Sequence, residues 1–204
     1  MSPRFPVLVV AAALALSPLV LPAFAQSPRD WPSASSPPQP GRGKSTFSLD
    51  TLFSALKIAP DEASAKAIED RIWAIWIASD SDTCMLLMSR VKDATDAKDY
   101  DLAIKLLGAI VTIKPDYVEA WNRRATLHYV QHEYGRALAD IREVLAREPR
   151  HFGALSGLGL ILQDIGDDKH ALEAYQAALA IDPHLRNVPD TVKTLREKVE
   201  GRDI

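Results

Sequence analysis

The chain has 204 residues, of which 47% are hydrophobic and 25% are charged, and its formal net charge is −3. These values are typical of one ordinary globular domain with short appendages. The slightly acidic balance argues against nucleic acid as a partner, because phosphate groups require a basic surface.

The first 25 residues have the pattern of a cleavable secretory signal. Arg4 precedes an apolar run at 7–21, and Ala23-Phe24-Ala25 forms a small-x-small cleavage site. We therefore expect cleavage after Ala25 and export across a bacterial inner membrane, so that the mature protein is periplasmic or secreted and has no membrane span. The alternative is an uncleaved membrane anchor, which the shortness of the apolar run disfavours.

Residues 26–46 are rich in proline and serine and contain almost nothing apolar, which predicts a disordered linker. Within it, residues 41–45 resemble the end of a phosphate-binding loop, but Pro38 stands where that motif requires its first glycine. We therefore expect no nucleotide site there, and nothing elsewhere in the sequence indicates a cofactor.

Residues 47–80 are predicted to form a pair of helices, at about Ser48–Lys57 and Asp61–Ala78. The second helix is apolar around most of its circumference, so it must be covered on more than one side. We expect the first helix on one side and the first repeat on the other, which makes the pair an N-terminal cap. The alternative is that Trp73 or Trp76 stays partly exposed and forms a second surface, for a partner or for a homo-oligomer.

Three segments of 34 residues follow one another from Cys84 onward. Prolines recur at 115, 149 and 183, and alanines recur at 103, 137 and 171. Each segment is predicted to be a helix, a polar turn and a second helix that a proline ends, in repeats at 84–117, 118–151 and 152–185. Cys84, the single cysteine, cannot form a disulfide within the chain, so we expect a partly buried small hydrophobe rather than an intermolecular disulfide or a reactive thiol.

The repeats resemble those of tetratricopeptide repeat proteins over about half of the chain. In the second repeat, Trp121 takes the place of the aromatic anchor, Ala125 and Ala137 are the small residues where the helices cross, and Pro149 is the terminal proline. The matching residues of the third repeat are Leu155, Gly159, Ala171, Tyr175, Ala178 and Pro183, and those of the more divergent first repeat are Leu87, Val91, Ala103, Leu107, Ile110 and Pro115.

The resemblance implies an all-α fold, a right-handed superhelix of antiparallel helix pairs with the N-terminal helical cap before it. Residues 186–204 follow the last repeat, and a helix at about Pro189–Glu200 is expected to cap the open end. The resemblance also implies that the first helices of the repeats line a concave groove.

Two arginines stand where the family pattern has a leucine. Arg124 has Asp140 in the facing helix at a distance suited to an ion pair, so we expect a structural pair. Arg90 has Leu106 at the equivalent place, and its partner cannot be named from the sequence.

His128 and His132 are spaced four residues apart, close enough for two metal ligands. His128 replaces a core aromatic residue and His132 lies in a turn, so we expect packing and turn roles and no metal. No serine or cysteine nucleophile has a recognisable flanking motif, and the sequence therefore predicts no catalytic residues and no enzyme.

The groove is the predicted binding surface for a protein or peptide. Its inward positions combine apolar, basic and amide groups with two glycines: Met85, Met88, Lys92, Asn122, Arg123, Thr126, Tyr129, Gly153, Ser156, Gly157 and Leu160. The glycines stand where tetratricopeptide proteins that clamp chaperone C-termini have basic residues, so that clamp is not predicted. Either a bulky part of the protein itself or a ligand approaches this backbone.

The sequence therefore predicts a non-catalytic protein-interaction scaffold of the bacterial cell envelope. The alternative is a structural or assembly subunit that self-associates through the tryptophan-rich helix pair. A metal or small-ligand carrier that uses His128 and His132 is a weaker third hypothesis.

Overall fold

The computed structural model describes residues 48–201, and within that range the chain forms helices and no strand. The predicted signal sequence, the linker and the glycine-rich segment at 41–45 lie outside the described residues. The helices are α1 (Leu49–Lys57), α2 (Glu62–Ile77), α3 (Asp82–Asp96), α4 (Tyr100–Ile113), α5 (Val118–Val130), α6 (Tyr134–Arg147), α7 (Phe152–Asp164), α8 (Asp168–Ile181) and α9 (Val188–Glu200).

Helices α3 to α8 form three antiparallel pairs, each packed most extensively within itself. Successive pairs meet through α4 with α5 and through α6 with α7, and α9 packs on α8. The predicted all-α superhelix of helix pairs, with a helix closing its C-terminal end, is therefore the observed fold.

Local sequence signals determine where the helices begin. Ser48, Asp61, Ser81, Asp99 and Asp167 each precede a helix and accept a hydrogen bond from a backbone N–H of its first turn. Such caps satisfy donors that a helix cannot satisfy internally.

The tight turn inside each pair repeats with the same 34-residue spacing. Lys98, His132 and Gly166 all have positive φ angles, of 60°, 59° and 85°. Only the third repeat places glycine, the residue that tolerates this backbone conformation best, at the position. The turn is thus dictated by the repeat geometry even where the local residue disfavours it.

The helix pair α1–α2 lies along the turns that connect one repeat to the next. Its apolar core contains Phe152 from the start of α7 and contacts Ile181 and Leu185 at the end of α8 and beyond it. Among the described residues, no apolar side chain of α1 or α2 packs in the core of the first repeat, which α2 meets through a hydrogen bond from the Tyr117 hydroxyl to the carbonyl of its last residue, Ile77. The expected position of α2, between α1 and the first repeat, is therefore wrong: the pair spans the side of the stack.

The two ends of the stack are finished differently. Val188, Val192 and Leu195 of α9 are buried against the third repeat. At the other end, Leu86 of α3 and Ile113 of α4 are 58% and 54% exposed. Within residues 48–201, no helix combines the length and the apolar character needed to cross a membrane.

Candidate protein-interaction surface

The 34-residue period places equivalent positions of the first helices side by side on the concave face. Positions near the start of these helices in the second and third repeats are Glu119, Asn122, Gly153 and Ser156, which we call the covered half of the groove. Glu119, Asn122 and Ser156 are buried, and Gly153 is half-buried. Positions nearer the helix ends are Lys92, Asp96, Thr126, Tyr129, Val130 and Asp164, which we call the open half.

Two tryptophans of α2 fill the space at the covered half. Trp76 stacks on the ring of His151, with ring centroids 4.0 Å apart and planes 8° from parallel. Trp73 meets His151 and Phe152 edge-on, with centroid distances of 5.4 and 5.7 Å. Trp76 is only 6% exposed and Trp73 is half-buried. The alternative that Trp76 stays exposed as a second surface is therefore wrong, because the protein's own third repeat covers it, whereas Trp73 keeps part of its surface accessible.

Gly153 is required by the close approach of Trp73. A Cβ atom at this position would lie 2.9 Å from Cη2 of the indole, too near for any real contact. Of the two explanations that the sequence left open, a bulky part of the protein itself is the one observed, and it comes from α2 rather than from the C-terminal helix.

A buried polar network lies beneath the tryptophans. Arg123 Nε donates to Glu119 Oε1 at 2.7 Å, and Asn122 Nδ2 donates to Glu119 Oε2 at 3.0 Å. Burial acts to raise the pKa of Glu119, but the positive charge of Arg123 and the neighbouring His151 outweigh it and hold that pKa below its usual range. Arg123 and Asn122 are 5% and 7% exposed, so both predictions of a partner-binding role are wrong in this conformation.

Polar contacts fasten α1–α2 to all three connecting turns. The Tyr117 hydroxyl donates to the Ile77 carbonyl at 2.5 Å, and His184 Nε2 donates to the Ala59 carbonyl at 3.0 Å. Ion pairs at the rim join Lys114 to Asp80, Arg150 to Asp50 and Arg186 to Glu62. Because these partners lie 34 to 125 residues apart in sequence, the pair ties distant segments together.

One contact of α2 brings two carboxyl groups together. Glu69 faces Asp182 in the turn after α8, and burial together with the negative charge of Asp182 raises the pKa of Glu69 to about 7. Burial also raises the pKa of Asp182. Since Asp182 Oδ2 is buried without another hydrogen-bond partner among the described residues, a protonated Glu69 is the donor that this atom needs.

The open half of the groove keeps its side chains accessible. Lys92 is exposed and donates to Asp96 at 2.5 Å, and Val130 is 39% exposed. Tyr129 is half-buried, and its hydroxyl donates to Asp164 Oδ2 at 2.8 Å, which links the second and third repeats across the groove. The surface therefore offers apolar, cationic and anionic groups side by side.

The other predicted groove residues are less accessible. Met88 belongs to the first-repeat core, and Leu160 belongs to the cluster formed with α8 and α9. Gly157 and Ser156 are buried in α7, whereas Met85 and Thr126 are half-buried. Met88, Ser156, Gly157 and Leu160 are therefore corrected to packing positions, because neighbouring helices of the stack close over them.

Arg124 and Asp140 lie together inside the second repeat. The guanidinium donates two hydrogen bonds to the carboxylate, at 2.8 and 2.7 Å, and lies 4.8 Å from the centroid of the Trp121 ring. Arg90 is exposed, and the described residues offer it no hydrogen bond or ion pair.

The two histidines of α5 and its following turn are separately engaged. His128 is 6% exposed, with Nδ1 2.6 Å from Glu133 Oε2, whereas His132 Nδ1 lies 3.0 Å from the Tyr134 hydroxyl. No cluster of three or more metal-ligating side chains occurs in the range 48–201. Cys84 is fully buried in the first-repeat core.

Sequence reasoning missed Glu119, His151 and Asp182 as the residues that organise the covered half. Two signals were present. Glu119 and Arg123 have the i, i+4 spacing of a helical ion pair. Tyr117, His151 and Leu185 recur at 34 residues and mark one continuous edge of the stack.

Comparisons with known proteins match this chain to tetratricopeptide repeat proteins. A profile described as tetratricopeptide repeat matches residues 122–185. A TPR repeat-containing protein of Rhizobium etli is 42% identical over 153 residues, which cover 75% of this chain and 75% of the relative.

Solved structures share the fold. The first TPR of Spaghetti (RPAP3) bound to the HSP90 peptide SRMEEVD has a TM-score of 0.57 at 16% identity, covering 60% of this chain and 97% of that one. The Sgt2 TPR domain from Aspergillus fumigatus has a TM-score of 0.55 at 25% identity, covering 61% of this chain and 83% of that one.

Proposed function

This chain belongs to the tetratricopeptide repeat family, and from that premise we propose that it is a non-catalytic scaffold that binds a protein or peptide segment in its concave groove. The family resemblance supports a protein-interaction role, since a structural neighbour holds a peptide. The observation that carries the proposal is the accessibility of the open half, where side chains of three repeats converge while α2 fills the covered half.

The chemistry of the open half favours one kind of partner segment. Asp96 and Asp164 contribute two carboxylates, Lys92 contributes one ammonium group, and Tyr129 and Val130 supply apolar contact. Opposite charge in a partner is favoured at such a surface, and like charge is rejected. The preferred segment therefore carries basic and apolar side chains, which separates it from an acidic chaperone tail.

We place this scaffold in the bacterial cell envelope, periplasmic or secreted. The support is the secretory pattern of residues 1–25, and the relative in Rhizobium etli makes a bacterial source reasonable. N-terminal sequencing of the protein recovered from a periplasmic fraction tests this directly. A mature chain that begins at Gln26 supports export, whereas an intact Met1 in the cytoplasm contradicts it.

The groove is tested by capture of ligands from a periplasmic extract on the immobilised mature chain. The groove variant carries Asp96→Lys and Val130→Arg, two exposed positions whose substitution leaves the core intact and places positive charge opposite the basic segment. The matched control carries the same change of charge in Glu173→Lys and Ala139→Arg, exposed positions on the second helices of the third and second repeats.

We expect a protein that the wild type and the control retain and that the groove variant loses, with circular dichroism unchanged in all three. Equal retention by the groove variant and the control would contradict binding in the open half.

A further inference from the structure

The end of the first repeat exposes a surface of the kind that the other repeats bury. Leu86 occupies the same repeat position as Ala120 and Ala154, both of which are completely buried beneath the preceding helix pair. Leu86 is 58% exposed, because no helix pair among the described residues precedes α3 at this end. Leu86 is therefore a large apolar side chain in contact with solvent, at a position that the other two repeats bury.

A charged residue lies next to Leu86 on the same face of α3. Arg90 is one helical turn beyond Leu86 and is exposed. Its counterpart in the second repeat, Arg124, is held by Asp140, but at the first repeat Leu106 replaces the aspartate. Among residues 48–201, Arg90 is thus a cation without an ion-pair partner beside a leucine that no other helix covers.

The first turn of α3 supplies the opposite charge. Asp82, Leu86 and Arg90 are spaced four residues apart and therefore share one face of the helix. Asp82 is exposed and, within residues 48–201, forms no ion pair. Asp82 and Arg90 are eight residues apart, more than two helical turns, so they cannot pair with each other within one chain.

This pattern is self-complementary under a two-fold axis. When two copies of α3 lie antiparallel and meet at Leu86, the arginine of each copy falls opposite the aspartate of the other. We propose that the free end of the first repeat is a homodimer interface, in which Leu86 packs on the partner's Leu86 and Arg90 pairs with Asp82 of the partner subunit. An isologous contact of this type closes on itself and yields dimers, not fibres.

The opposite end of the stack does not offer an equivalent surface. α9 buries Val188, Val192 and Leu195, and its outer face presents the exposed charged residues Arg196, Glu197 and Lys198. Head-to-tail stacking would therefore place an apolar end against a charged helix. The proposed dimer does not involve the groove, so this inference and the groove proposal fail independently.

Sedimentation equilibrium of the mature chain tests the interface through charge reversal. Arg90→Glu and Asp82→Arg each place like charges opposite one another at both ends of the contact, and we expect each to weaken dimerisation by at least about tenfold. The double variant restores both pairs with reversed polarity, and we expect its dimerisation constant to return to within about threefold of the wild type.

The rescue is specific, because the two residues are too far apart to pair within one chain. Lys169→Glu, an exposed charge reversal on α8, is the control and is expected to leave the dimer unchanged. A protein that stays monomeric at all accessible concentrations would overturn the proposal. A double variant that dimerises no better than the single variants would overturn it as well.

Discussion

The interfaces between repeats and the interface between α1–α2 and the stack differ in the kinds of residue that they bury. Repeat interfaces are formed by small and aliphatic residues, such as Ala120, Ala154 and Leu107, that are completely buried. The interface with α1–α2 buries Trp76 Nε1 and His151 Nε2 without hydrogen-bond partners among the described residues, and it brings two carboxyl groups together at Glu69 and Asp182. Unpaired buried polar groups cost free energy, so α1–α2 is the more weakly held part of the molecule.

The substitution with the largest expected effect on the attachment of α1–α2 is Trp76→Ala. Removal of a buried indole costs about 3–5 kcal/mol of the free energy of unfolding at its site. Because α1–α2 contacts the stack mainly through this cluster, we expect that cost to appear as local opening of α1–α2 while the repeats stay folded. Native-state hydrogen exchange measures it as lost protection in residues 49–77 alone.

The control for this experiment is Trp121→Ala, which removes an indole from the second repeat. We expect this substitution to lower protection from hydrogen exchange in all helices of the repeats. If Trp76→Ala instead lowered protection equally throughout residues 48–201, α1–α2 and the repeats would unfold as one cooperative unit. That result would contradict the weaker attachment of α1–α2.

The second test lies inside a repeat, at Arg124 and Asp140. Arg124→Ala leaves a carboxylate that is almost completely buried without its partner, and we expect the free energy of unfolding to fall by about 2–3 kcal/mol. Asp140→Ala and the double variant complete a thermodynamic cycle, with an expected coupling of about 1–3 kcal/mol from denaturant titration. Additive effects of the two substitutions would show that the pair contributes no coupling.

The third and smallest test is the pH dependence of the Glu69–Asp182 contact. The pKa of Glu69 is raised to about 7, so the protonated form is preferred when α2 is docked. This contribution is fully present below the usual carboxyl pKa and is lost as the pH rises through about 7. Lys66 and Asp70 on α2 and His184 on the opposite turn also face the two carboxyls, so the contribution must be isolated by substitution.

Glu69→Gln isolates it, because glutamine keeps the shape of the neutral acid and does not titrate. We expect the variant to hold α1–α2 more tightly than the wild type at pH 8, by about 1–2 kcal/mol after allowance for its partial exposure, and equally at pH 5. Hydrogen exchange of α2 at both pH values provides the measurement. The exposed Glu173→Gln is the control, and a wild type whose α2 is protected equally at both values would contradict the assignment.

The repeats were predictable from the sequence because their determinants are local and periodic. The alanines at 103, 137 and 171 and the prolines at 115, 149 and 183 specify each helix pair, and the predicted ends of α1, α2 and α9 lie within one residue of the observed ends. The same periodicity listed the inward positions of the groove.

The covering of the groove was not predictable in the same way. The contact of Trp73 with Gly153 joins segments that lie 80 residues apart and belong to different periodic patterns. Neither pattern predicts that the two segments pack together. The sequence showed only that α2 was too apolar to lie uncovered and that two glycines left room in α7. Accessibility of Arg123 and Asn122 therefore could not be judged from position within the repeat alone.

The row of connecting turns has a mechanical consequence. A change in the curvature of the superhelix requires that the turns connecting successive repeats move nearer to or farther from one another. Because α1–α2 is anchored to the turns at Tyr117, His151 and His184, such movement would stretch or compress a rigid rod. We therefore expect the helix pair to hold the width of the groove constant, and its release to let that width vary.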